Sequence, residues 1–222
     1  MKNLKFTALS ALLTSALLYA APASALVWAE SDAGDLLTSA EVTRGAGLPS
    51  LDGITGNLTS TNVVGVGASY QVDLFKIFIA DAALFSASAV SPTEADTAMF
   101  LFDGMGQAIY SNDDFNGSLL STLPAGVAVS SGHYFLGIGL TGSFALNSLS
   151  EDLFLPDGMP AGLGPLASWF ATPGTEEQLY GYSIALTGAS VAAVPEPAAA
   201  LLLLLGVGGL AATRTLRRQR AA

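Results

Sequence analysis

The chain has 222 residues, with 18 acids, 8 bases, no cysteine and a formal net charge of −10. The acid excess leaves no basic patch to meet phosphates, which excludes a nucleic-acid binder. The lack of cysteine excludes thiolate metal sites, thiol catalysis and disulfide staples.

The chain opens with Met1-Lys2-Asn3-Leu4-Lys5, a short positive start. Phe6 to Ala21 forms an apolar core, and Ala23-Ser24-Ala25 places small residues at the two positions a signal peptidase reads. This order predicts a secretory signal over residues 1–25, cut after Ala25 by signal peptidase. The tail, described below, bounds the other end. Residues 26–194 then form one domain, long enough to bury a core. This domain holds 17 acids against 2 bases, Arg44 and Lys76, which favours solubility outside the cell.

Within the domain, Leu26 to Leu51 reads as a short strand around Trp28 followed by a polar loop through Leu48-Pro49. Asp52-Gly53 is a turn signal, and Ile54 to Ser60 reads as a strand. Tyr70 to Ile79 (YQVDLFKIFI) alternates at both ends with a phase change near Leu74-Phe75. That fits a strand with a bulge, or one buried on both faces. Leu84 to Val90 is a further strand, rich in small residues.

Asp96 to Asp114 (DTAMFLFDGMGQAIYSNDD) predicts a hairpin. Met99 to Phe102 is a buried strand, and Asp103-Gly104-Met105-Gly106 is a tight turn whose glycines allow positive φ. Ala108 to Tyr110 is the return strand, ended by Asn112-Asp113-Asp114. Gly132 to Leu140 (GHYFLGIGL) puts Tyr134, Leu136, Ile138 and Leu140 on one face and His133, Phe135 and glycines on the other. In the last strand Tyr180, Tyr182, Ile184 and Leu186 alternate with small or polar residues and predict an inward face. Residues 142–178, rich in Gly and Pro, carry no clear element, although Trp169-Phe170 can plug into a core. No segment between the termini has a sustained 3.6-residue period. Short strands between Gly, Pro and Asp turns predict an all-β domain, an antiparallel β-sandwich of jelly-roll type.

Three chemistries are open to these residues. His133 is the sole histidine, but no Gly-x-Ser-x-Gly elbow accompanies it. Asp113-Asp114, Glu151-Asp152 and Glu176-Glu177 offer the paired carboxylates of a glycosidase, all in predicted loops where acids face water. Asp96, Asp103, Asp113 and Asp114 lie around one hairpin and offer oxygens for calcium. Asp is equally an ordinary turn residue. The expectation is a protein without catalytic residues, with Ca2+ as the one cofactor candidate.

The tail has three parts in order. Pro195-Glu196-Pro197 comes first, then 15 small and apolar residues from Ala198 to Ala212, then Arg214, Arg217, Arg218 and Arg220. The prolines keep the chain extended and accessible. The apolar run rises only about 22 Å as a helix, short of the roughly 30 Å hydrocarbon core. Snorkelling arginines, held cytoplasmic by the positive-inside rule, make up the difference and allow a transmembrane helix. A plain C-terminal anchor would need only the apolar run.

The ordered tail resembles the PEP-CTERM sorting signal, the substrate tag of an exosortase. The resemblance implies cleavage near Pro195-Glu196-Pro197 and delivery through the inner membrane to the cell surface or outside. It also implies work with exopolysaccharide in biofilm or floc formation. The domain resembles the bacterial pre-peptidase C-terminal β-sandwich. The pieces that carry this are Asp73 with Phe75, Asp96, Leu101-Phe102-Asp103, Gly106, Asn112-Asp113-Asp114, and Gly132 with Tyr134. The alternative expectation is a secreted carbohydrate-binding module or hydrolase whose site no motif reveals.

Overall fold

The computed structural model describes residues 25–45, 49–63, 67–70, 72–93, 95–171 and 178–193, and every element among them is a strand. The expected secretory signal as far as Ser24, and the tail with its expected transmembrane run, lie outside the described residues. No helix among the described residues is long and apolar enough to cross a membrane.

In chain order the first strands are β1 (Leu26–Ala29), β2 (Glu41–Val42), β3 (Arg44–Gly45), β4 (Leu51–Val63) and β5 (Gly67–Tyr70). Next come β6 (Asp73–Ile79), β7 (Ser86–Ala89), β8 (Thr97–Asp103), β9 (Ala108–Asn112) and β10 (Thr122–Leu123). The chain then forms β11 (Gly132–Leu140), β12 (Ser143–Leu146), β13 (Ser168–Ala171), β14 (Gln178–Thr187), β15 (Ala189–Ser190) and β16 (Ala192–Ala193). One sheet runs β1-β4-β14-β7-β10, with β5 added to β4. A second runs β15-β6-β11-β8-β9, with β2 added to β6.

The two sheets share one core. The first contributes Leu51, Ile54 and Leu58 from β4 and Tyr182, Ile184 and Leu186 from β14. The second contributes Phe75, Ile77 and Ile79 from β6, Met99 and Leu101 from β8, and Leu136 and Ile138 from β11. Register makes this possible. Leu136 sits between Phe75 and Leu101, and Ile184 opposes Ile54. A slip of one residue would turn each inward set to the opposite face.

The sheets are mixed rather than purely antiparallel. β1 pairs with β4, and β2 with β6, in parallel. Asp52-Gly53 makes no turn; both residues lie inside β4, where Gly53 pairs with Val27 and with Ala185. β6 is the strand buried on both faces, with Phe75 in the shared core and Leu74 in a second, outer cluster. The hairpin of β8 and β9 closes as the sequence suggests, with Gly106 at φ +84° and its N–H on the Asp103 carbonyl at 2.9 Å.

The segment after β11 takes on a definite role. The outer face of the second sheet presents Leu74, Phe100, Phe102 and Phe135, too apolar to leave in water. Residues 143–171 cover it. β12 and β13 pair as a hairpin, while Ala145, Leu153, Phe154 and Leu166 bury against that face. Trp169 stands edge-on to Phe100, centroids 4.9 Å apart, and Phe154 edge-on to Phe102 at 5.5 Å. Trp169 thus fills the core as expected, while Phe170 stays 54% exposed.

Candidate functional site

The four aspartates singled out in the sequence do not converge. Asp103 caps its own turn, its Oδ1 accepting the N–H groups of Met105 at 2.8 Å and Gln107 at 2.9 Å. Asp96, Asp113 and Asp114 gather at the opposite end of the hairpin, one strand of 7 residues away, about 20 Å. There burial first, then the charges of Asp114 and Asp113, raise the Asp96 pKa. Its Oδ1 is buried with no hydrogen-bond partner among the described residues. Among the described residues no group of three or more acids and histidines is arranged to hold a metal ion. The expected calcium set therefore does not form as drawn, because the strand length of β8 separates Asp103 from the others.

His133 faces outward beside Phe78, ring centroids 5.3 Å apart and edge-on. Glu151 and Asp152 are exposed and serve turns. Glu151 Oε2 accepts Asn147 Nδ2–H at 2.8 Å, and Asp152 Oδ1 accepts the Phe154 N–H at 3.1 Å. Glu176-Glu177 lies outside the described residues. Ala25 is exposed just before β1, while Ala23, Pro195, Glu196, Pro197, Arg214, Arg217 and Arg218 lie outside the described residues.

A groove of about 530 Å³ opens beside the end of β9. Its floor is the outer face of β8, at Ala98 and Phe100. One wall is the chain from Ser111 to Asp114. The other is Phe144 of β12 with the loop from Asp152 to Gly158. The loop is held close by backbone bonding. Ser111 N–H donates to the Gly158 carbonyl at 2.9 Å, and Gly158 N–H to Leu155 at 2.8 Å. Only glycine serves at 158. Its φ is +79°, and a Cβ there would fall 2.0 Å from the Ser111 carbonyl oxygen.

Asn147 anchors the base of this excursion. It is 4% exposed. Its Nδ2 donates to Glu151 Oε2 and, at 2.9 Å, to the Leu163 carbonyl. Its Oδ1 accepts the N–H groups of Leu149 and Glu151 at 2.8 and 2.9 Å. A buried amide with all four hydrogen-bond positions filled holds a loop rigidly.

Four acids ring the groove: Asp113 and Asp114 on one wall, Asp152 and Asp157 on the other. No base lines it. Asp113, Asp152 and Asp157 each spend one oxygen on a nearby backbone N–H, and the second oxygen of Asp113 accepts the Thr141 hydroxyl at 3.5 Å. Ser143, 6% exposed, also lines the groove, and its hydroxyl has no partner among the described residues. That hydroxyl sits over the Gly139–Ala98 pair, 3.1 Å from where a Cβ at Gly139 would stand. In the sequence Asp152 reads as a loop acid, and Ser143 and Asp157 carry no local signal. Their meeting with Asp113 depends on long-range packing that has no local signature.

A second acidic cluster lies inside the sandwich. Asp73 is fully buried and accepts the Tyr182 hydroxyl on Oδ2 at 2.9 Å, while Oδ1 has no partner among the described residues. Burial, then the Glu30 charge, pushes its carboxyl up to about 8, with Glu41 adding to the rise and the Tyr182 bond opposing it. Burial, then Asp73, drives the Tyr182 hydroxyl far up, so it stays protonated and donates. Glu41 is held by Trp28 Nε1–H at 3.1 Å and Ser31 Oγ–H at 2.8 Å. Asp73 and Tyr182 are packed in the core while Glu30 and Glu41 are half-buried at its edge, and the cluster reads as structure.

Residues 193–220 match the family model of the PEP-CTERM protein-sorting motif. No curated protein shows a significant match to the chain. The motif marks the chain as an exported protein that is sorted by an exosortase.

Proposed function

We propose that this chain is a non-enzymatic β-sandwich of the pre-peptidase C-terminal kind, delivered by an exosortase to the cell surface or extracellular polysaccharide matrix. Signal peptidase removes residues 1–25. The C-terminal helix then holds the chain in the inner membrane until cleavage near Pro195-Glu196-Pro197. Outside, it works with exopolysaccharide in biofilm or floc formation.

The observation that carries this reading is the sorting motif at residues 193–220 behind a domain with a large acid excess. Such a charge keeps a displayed domain soluble. Four of its exposed acids ring one groove, and His133 is not among the residues that line it. Mass spectrometry of both ends of the mature protein, with its cell fraction, tests it. The mature chain should begin at Leu26, end near Glu196 and appear in the surface or matrix fraction. Intact Arg217-Arg218 peptides on most mature molecules would sink exosortase processing and favour a plain anchor.

The groove supports a second reading, a secreted carbohydrate-binding module. It joins carboxylates and an aromatic edge in one concave site.

A further inference from the structure

We propose that the groove between β8, β9 and the loop from Asp152 to Gly158 binds a cationic sugar, an amino-sugar polymer with free amines. This deepens the exopolysaccharide reading and rests on it. The first observation is charge. Asp113, Asp114, Asp152 and Asp157 stand on opposing walls with no base among the lining residues. A neutral or anionic polymer would leave that field unanswered, whereas ammonium groups spaced along a chain answer it on both sides.

The second observation is Ser143. Its hydroxyl is buried against the groove floor and unpartnered. A buried hydroxyl without a partner is destabilising, and a sugar hydroxyl entering the groove supplies one. Size and surface agree. A space of about 530 Å³ is far larger than one cation needs, and it suits a few sugar units. Phe144, 40% exposed at the rim, offers an apolar face for a pyranose ring. The acids ring the space rather than converge, which explains why they make no metal cage.

The test uses the full chain in detergent micelles and isothermal titration calorimetry. The probes are a β-1,4-linked glucosamine hexamer, its N-acetylated counterpart, a glucose hexamer, hexalysine and calcium chloride. The expected result is binding of the glucosamine hexamer that falls at least tenfold on acetylation and is absent for the glucose hexamer. Asp114→Asn with Asp157→Asn, both exposed positions, should weaken it at least tenfold with an unchanged melting temperature. Asp52→Asn, outside the groove, should leave it unchanged. Ser143→Ala should weaken it without loss of fold.

Three results would overturn the inference. They are no binding of the glucosamine hexamer, equal binding of the acetylated form, or hexalysine or calcium binding more tightly with the same dependence on Asp114 and Asp157. Matrix fractionation separates this from the broader reading. A chain that resides with matrix polysaccharide yet ignores the glucosamine hexamer removes the inference alone. A chain absent from the matrix removes the exopolysaccharide reading, whatever the calorimetry shows.

Discussion

Tyr182 of β14 and Asp73 of β6 join the two sheets through the core by one hydrogen bond of 2.9 Å. Both residues are buried. A buried carboxyl with Glu30 nearby and only one hydrogen bond favours its neutral form.

That relationship fixes a pH dependence. The Asp73 carboxyl titrates near 8 in the folded chain, against 3.8 for the free group. Between those values the folded state holds a proton that the unfolded state has lost. Stability from this site is therefore full below about pH 4 and falls as pH rises towards 8. The slope is about 1.4 kcal/mol per pH unit for one proton. Asp73→Asn should flatten this decline, because the amide never ionises and can still accept the Tyr182 hydroxyl. Thermal melts at several values between pH 5 and pH 9 check it. Identical slopes for the two proteins would show that Asp73 is not protonated in the folded state.

Asn147 should matter more than its loop position suggests. Asn147→Ala strips partners from Glu151 Oε2, the Leu163 carbonyl and two backbone N–H groups. Leaving such groups unpaired costs about 1–3 kcal/mol. Hydrogen exchange should show the loss concentrated in residues 147–163, with the Ile184 region still protected. Uniform loss across the chain would mean the loop and the core unfold as one unit.

The buried pair Thr97 and Ser121 gives an asymmetric expectation. Their hydroxyls meet at 2.8 Å, and the Ser121 N–H also donates to Thr97 Oγ1 at 3.1 Å. Thr97→Val keeps the shape but leaves both the Ser121 N–H and its hydroxyl unpaired. Ser121→Ala leaves the Thr97 hydroxyl with one partner. Chemical denaturation should rank Thr97→Val as the costlier change, by about 1 kcal/mol. The reverse ranking would mean the Ser121 groups find other partners.

Much of the shared core was legible because one face of each strand repeats every second residue. Tyr134, Leu136, Ile138 and Leu140 read as one face, and all four are buried. The turn after Asp103 was legible from its glycines. The parallel pairing of β1 with β4 was not, since nothing in Leu26–Ala29 encodes a partner 25 residues on. The covered outer face was half visible. Met99 to Phe102 and Leu74-Phe75 are unbroken apolar runs, which demand cover on both sides. What supplied the cover, residues 143–171, lacks periodicity of its own. For the same reason the groove acids Asp152 and Asp157 looked like loose loop residues. Asp73 was the hardest case. An aspartate at a strand start looks like an exposed residue until Glu30, Glu41 and Tyr182 are folded around it.

The inward face of β14 is the element on which the two-sheet reading stands. Tyr182, Ile184 and Leu186 are 4%, 1% and 7% exposed, and Tyr180 is partly buried against the same core. Ile184 pairs with Ile54 on one side and Ala89 on the other, so its side chain is enclosed by its own sheet and by the facing one. Ile184→Ala removes three carbons from a packed site that strands on both sides keep from collapsing. It should cost about 2–5 kcal/mol. Ser183 is the contrast. It points the other way, and its backbone does the bonding, accepting from Val90 N–H at 2.8 Å and donating to Thr93 Oγ1 at 2.9 Å. Ser183→Ala keeps that backbone and should change stability by no more than about 0.5 kcal/mol. Urea denaturation of the two variants beside the parent chain measures both. Equal costs would mean that β14 does not present alternate faces to core and exterior, and the packing of the two sheets across it would have to be redrawn.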